Sequence, residues 1–166
     1  MDIGLLILRL VVGLGLAAHG SQKLFGWFGG YGIAGTGGFL ESLGFGPGKA
    51  HAFTSGAAEL LGGLLVVLGF LTPLGSALII AVMVAAIGSV HLPKGYWNSN
   101  GGYELNLLII AVVTALAFTG PGAYAVQPAA FVDVEAWKLG LGALVLGLLG
   151  GGAALATRRH AAVAHT

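Results

Sequence analysis

The sequence predicts an all-α fold: a membrane-spanning four-helix bundle with an additional C-terminal transmembrane helix. Three observations predict it. Hydrophobic residues make up 57% of the 166-residue chain and charged residues only 8%, against about 25% charged in a soluble domain. Apolar stretches recur that approach the roughly 20 residues needed to cross a bilayer at about 1.5 Å per residue. The 31 glycines follow no repeat period, which excludes collagen and suits helices that pack closely in lipid. A chain this apolar cannot cover a water-facing surface, so an ordinary soluble enzyme and a disordered tail are excluded. A net charge of +1 leaves no footprint for a phosphate backbone. The absence of cysteine excludes disulfides, iron–sulfur clusters, thiolate zinc and a dithiol relay. No metal centre is expected.

The first span is Ile3–Gly20, interrupted by Arg9. A cleaved signal peptide is disfavoured there, because Asp2 replaces the basic n-region and Arg9 breaks the apolar run. The long first loop, 21–53, carries seven of the 15 aromatic residues. Within it, Thr36–Phe45 places Phe39, Leu40 and Leu43 at helical spacing, predicting a short amphipathic segment on or in the membrane. The second span is Thr54–Leu71, with Glu59 inside. The third is Pro73–Leu92, with proline suited to a first helical position. The fourth is Tyr103–Gly120, closed by Gly120, Pro121 and Gly122. The fifth is Leu139–Thr157, followed by Arg158 and Arg159. Residues 1–125 thus form the bundle, 126–138 a connecting loop, 139–157 the fifth helix and 158–166 a basic tail.

Aromatic side chains avoid the span centres and gather at their ends, where amphipathic rings prefer the headgroup zone. Small residues four apart, Gly13/Ala17 and Gly147/Gly151, together with Gly62 and Gly63, are read as close-approach points between helices. Five spans place the termini on opposite sides. Lys23, Lys49, Lys94, Arg158 and Arg159 then share one face, and Lys138 stands on the other beside Asp133 and Glu135. The positive-inside rule makes the first face cytoplasmic, with the N-terminus outside. A bacterial-type inner membrane is the expected location.

An ionised group at mid-span costs roughly 2.5–3.5 kcal/mol on insertion scales, so such residues pair, face the bundle interior or mark a site. Arg9, Glu59 and Glu104 are joined at span ends by His19, Lys23 and His91. Antiparallel neighbours bring five of these toward one end, with Arg9 about 15 Å below His19 and its long side chain directed up toward Glu59. A single Arg9–Glu59 pair that fixes helix register is the simpler account. The number of ionisable groups, from four helices, favours a polar pocket. His51 is read as a loop residue, and His160 and His165 as solvated tail.

Several of these residues resemble the DoxX family of membrane proteins. Arg9-Leu10, His19-Gly20 and Lys23-Leu24-Phe25-Gly26 match its first helix, and Gly37-Gly38-Phe39-Leu40-Glu41-Ser42-Leu43-Gly44 its first loop. Glu59 with Gly62-Gly63 and Gly69, then Met83, Ala85, Gly102-Tyr103-Glu104 and Gly120-Pro121-Gly122, continue the likeness over about residues 3–125. It departs at Ala123–Gln127 and in the added fifth span. The resemblance implies a four-helix membrane bundle associated with oxidoreductase complexes, including a thiosulfate:quinone oxidoreductase.

With no thiol pair and no nucleotide fingerprint, electrons must come from a bound cofactor or a partner subunit. The chain can instead supply a quinone site. Arg9, His19, Lys23 and His91 are candidate cofactor-binding donors; Glu59 and Glu104 are candidate proton carriers. The function expected is therefore the integral membrane subunit of a quinone-linked oxidoreductase complex, either a homo-oligomer or paired with a redox subunit. Two alternatives stand beside it. One is a non-catalytic assembly subunit, docked on a larger complex through the glycine-rich fifth span. The other is a b-type haem held by His19 and His91. A transporter ranks below them, because no second polar cluster or inverted repeat is evident.

Overall fold

A computed structural model describes residues 1–127 and 134–159. His160, His165 and Asp133, assigned above to the tail and the opposite loop, lie outside the described residues. Among the described residues every regular element is helical: α1 (Asp2–Phe25), α2 (Gly32–Ser42), α3 (Gly48–Leu68), α4 (Thr72–Ala86), α5 (Glu104–Thr119) and α6 (Ala136–Ala156). Beyond Ala86, α4 continues through a π-helical turn, Ile87–His91, and a 3-10 turn, Leu92–Lys94.

Local chemistry sets these limits. Helix α1 stops at Gly26 and α3 at Gly69, which adopt left-handed φ values of 74° and 66°. Without a Cβ, glycine takes up this conformation at no steric cost. Pro47 precedes α3, and Pro73 occupies the first turn of α4, where a missing N–H costs nothing.

Four helices (α1, α3, α4 with its extension, and α6) are long and apolar enough to cross a membrane. The predicted fourth span forms α5, which at 16 residues is shorter and extends about 24 Å. It packs beside α4 and α6. The expected short helix in the first loop is present as α2.

Glycines bring the helices together. In α1, Gly13 lies on the backbone of Gly63, and Gly20 on that of Gly56 and Leu60, so α1 and α3 run antiparallel. Gly62 meets Gly75 across the α3–α4 turn. In α6, Gly147 packs on Ile80 and Gly151 on Val84, so α4 and α6 run parallel in direct contact, with α5 antiparallel beside both. Successive helices of the bundle therefore alternate in direction. Ala123 N–H donates to Asp2 Oδ1 at one end, and Arg159 N–H donates to the Gly44 carbonyl at the other.

Leu16, Val66, Ile79, Ile80, Met83, Val113 and Leu116 form the buried core. The outer faces of α1 and α6 expose Ile3, Ile7, Val11, Leu14, Leu146 and Leu149. Exposed apolar area on that scale belongs against lipid. The molecule is a multi-pass membrane protein.

Candidate functional site

The register of α1 against α3 decides where the polar residues meet. Because Gly13 faces Gly63, Arg9 lies level with the last turn of α3, about two helical turns below Glu59. The expected approach of Arg9 to Glu59 is therefore not made. Arg9 is 1% exposed and acts at the far end of the bundle. Its Nε donates to the Val66 carbonyl at 3.0 Å and its Nη2 to that of Val67 at 2.7 Å. Its Nη1 donates to the carbonyls of Pro121 at 2.8 Å and Tyr124 at 2.7 Å. The free carbonyls at a helix C-terminus carry partial negative charge and attract a cation. The guanidinium thus ties the end of α3 to the loop after α5. Gly69 leaves room for it, since a Cβ there would press on Cζ and Nη2.

Glu59 pairs instead with Lys23, whose Nζ donates to Oε1 at 2.7 Å. Glu59 is 3% exposed, and its Oε2 is buried with no hydrogen-bond partner among the described residues. Lys23 is partly exposed and borders a groove of about 380 Å³, within the size range of small-ligand sites. The α2 side chains Thr36, Phe39 and Leu40 form one wall of this groove. His51, Thr54 and Ser55 of α3 and Val82, Ser89, Val90 and His91 of α4 with its extension form others, and Gly150 and Ala154 of α6 complete it.

His91 reaches this groove through the π-helical turn, a distortion that often marks functional sites. Its Nδ1 is 2.7 Å from the Gly101 carbonyl. The structure thus gathers Lys23, Glu59 and His91 at one end. Glu104 lies outside the lining: its Oε2 accepts from Asn98 N–H at 2.9 Å and holds the 95–104 loop. His19, one turn before Lys23, is on the exposed face of α1 and also outside the lining.

Sequence reading missed His51, which belongs to α3 and packs on Phe45 with ring centroids 5.4 Å apart. Its signal was spacing: His51, Ser55 and Glu59 recur every four residues, which puts them on one helix face. Starting the second span at Thr54 concealed that pattern.

A family model described as DoxX matches residues 4–92, which includes Lys23, His51, Glu59 and His91. The protein from Bacillus subtilis (strain 168) named "Putative oxidoreductase CatD" is 32% identical over 130 residues, covering 78% of this chain and 89% of its own length. No solved structure matches the chain. A match across more than half of the residues, supported by a relative aligned over most of both chains, leads to one conclusion: this chain belongs to the DoxX family.

Proposed function

We propose that this protein is the integral membrane subunit of a quinone-linked oxidoreductase complex, and that the groove beside Lys23 receives the quinone headgroup. The observation that carries the reading is the buried Glu59 carboxylate, bonded through one oxygen to a groove-lining lysine and, among the described residues, bare at the other. An unpaired buried carboxylate oxygen is costly, and such groups cluster at sites that move protons. The family membership, and a relative whose name describes an oxidoreductase, support the redox setting.

The lining suits that ligand. Lys23 Nζ keeps hydrogens free to donate to a headgroup oxygen. Lys23 can give a proton to a headgroup oxygen as the ring is reduced, and Glu59, bonded to Nζ through Oε1, would hold the lysine in place and resupply that proton. Phe39, Leu40, Val82 and Val90 supply apolar walls that exclude water from a ring. When bound, a quinone would contribute two-electron, two-proton redox chemistry. Electrons then enter from a partner redox subunit. The cytoplasmic side would be the face holding the groove, in a bacterial-type inner membrane.

The other readings have less support. Of Gly150, Gly151 and Gly152, whose density suggested docking of the fifth span on a larger complex, the first two are taken up by α4 of the same chain, and Gly152 faces open space. Haem ligation by His19 and His91 would need both on one cavity, and only His91 lines the groove.

The test is to isolate the native assembly in mild detergent and identify its co-purifying chains and lipid-soluble cofactor. A quinone should be retained. Lys23→Met should lower both retention and quinone-linked activity about tenfold, the value of one hydrogen bond to a charged group. A Lys23→Met, Glu59→Gln protein that keeps both would overturn the assignment.

A further inference from the structure

Resting on the quinone-site reading, we infer that the groove is built for the reduced, dihydroxy form of the ligand and binds it in preference to the oxidised dicarbonyl form. The argument is a count of where each hydroxyl proton already goes. Thr54 Oγ1 donates to the His51 carbonyl at 3.1 Å, Ser55 Oγ to that of Ala52 at 3.3 Å and Ser89 Oγ to that of Ala85 at 2.7 Å. A hydroxyl has one proton. With it directed to the helix backbone, each of these three oxygens presents lone pairs to the groove.

His91 has the same polarity. The Gly101 carbonyl can only accept, so the 2.7 Å contact puts a proton on Nδ1. In the neutral ring that leaves Nε2 as a lone pair. The π-helical turn and the Gly101 carbonyl together set this orientation, since they fix both the level of the ring and its rotation. Four polar groups of the α3 and α4 walls are therefore acceptors.

Donors come from elsewhere. Lys23 is on α1 and Thr36 on α2, and His51 can donate from one nitrogen and accept at the other. A dicarbonyl ring offers only acceptors. It can take bonds from Lys23, Thr36 or His51, but it leaves the four acceptors of the α3 and α4 walls without a donor. A dihydroxy ring accepts from Lys23 through one oxygen and donates to Ser89 or His91 through the other. Sites that hydrogen-bond a ligand hydroxyl reject analogues lacking it, because their own groups are then left dry.

The test uses the full chain, purified in detergent under anaerobic conditions. Dissociation constants are measured by calorimetry for three probes: a short-chain benzoquinone, its hydroquinone and the hydroquinone dimethyl ether. The ether keeps the shape and removes the donors. The hydroquinone should bind about tenfold tighter than the other two. Ser89→Ala, a small change at a buried position of the groove wall, should cut that advantage several-fold and change quinone affinity much less. In protein labelled with nitrogen-15 at histidine, the hydroquinone should shift Nε2 of His91 while Nδ1 stays protonated. Equal or tighter binding of the quinone would overturn the inference and leave the quinone site standing. If neither probe binds, both the inference and the reading beneath it fail.

Discussion

Arg9 and the Lys23–Glu59 pair show how a lipid-embedded charge is compensated in two different ways. Arg9 is held by four backbone carbonyls and no carboxylate. Its planar fork reaches two segments at once, a geometry that lysine lacks. Each carbonyl left dry costs about 1–3 kcal/mol. Arg9→Leu should therefore lose on the order of 4 kcal/mol, and Arg9→Lys should recover little of it. Thermal unfolding in detergent measures both. For Lys23 and Glu59, removing one partner strands a charge, at a typical cost of about 3–5 kcal/mol. Lys23→Met should show that loss. The double variant Lys23→Met, Glu59→Leu should be more stable than Lys23→Met alone, because a buried pair can often be replaced by apolar groups at little cost. If the double variant is the less stable, the pair is not the source of the single variant's loss.

At the scale of elements, glycine sets how closely the helices approach. Gly20 has no space for a methyl group: a Cβ would meet the backbone of Gly56 and Leu60. Gly147 is similarly closed by Ile80 and Ala77. Gly15 and Gly142 face open space. Backbone cannot yield as a flexible side chain can, so Gly20→Ala should cost about 1–3 kcal/mol. Gly15→Ala and Gly142→Ala should be neutral or slightly stabilising through helix propensity. A melting series of the four variants, with Gly147→Ala grouped with Gly20→Ala, separates contact glycines from lipid-facing ones. Equal melting temperatures across the series would contradict the assigned register.

For the whole molecule, the alternating directions of α1, α3, α4, α5 and α6 leave the start of α1 and the end of α6 at opposite ends, with the groove at the α6 end. Lys23, Lys49, Lys94, Arg158 and Arg159 all belong to that end, so the basic bias predicts that it faces the cytoplasm. The chain contains no cysteine, which makes single-cysteine labelling clean. An impermeant maleimide applied to intact cells should modify Ala123→Cys and spare Ser42→Cys, and the pattern should reverse in inside-out vesicles. The opposite labelling would invert the orientation and place the groove outside.

Much of this architecture was legible in composition and period. Long apolar runs must be helical in lipid, where every backbone group needs an internal partner, and that requirement depends on no distant residue. The contact glycines, the amphipathic α2 and the gathering of Lys23, Glu59 and His91 at one end followed from spacing and alternating direction. The partners of those residues did not. Arg9 lies with Val66, Val67, Pro121 and Tyr124 rather than Glu59 because the α1–α3 register, set where Gly13 meets Gly63, decides which groups share a level. His51 enters the groove because α3 begins before the apolar run does, and His19 stays out because α1 turns that face away from α3. Hydropathy determines that a segment crosses the membrane. Rotation and offset between helices are set by contacts distant in sequence, and only the folded bundle resolves which polar side chains meet.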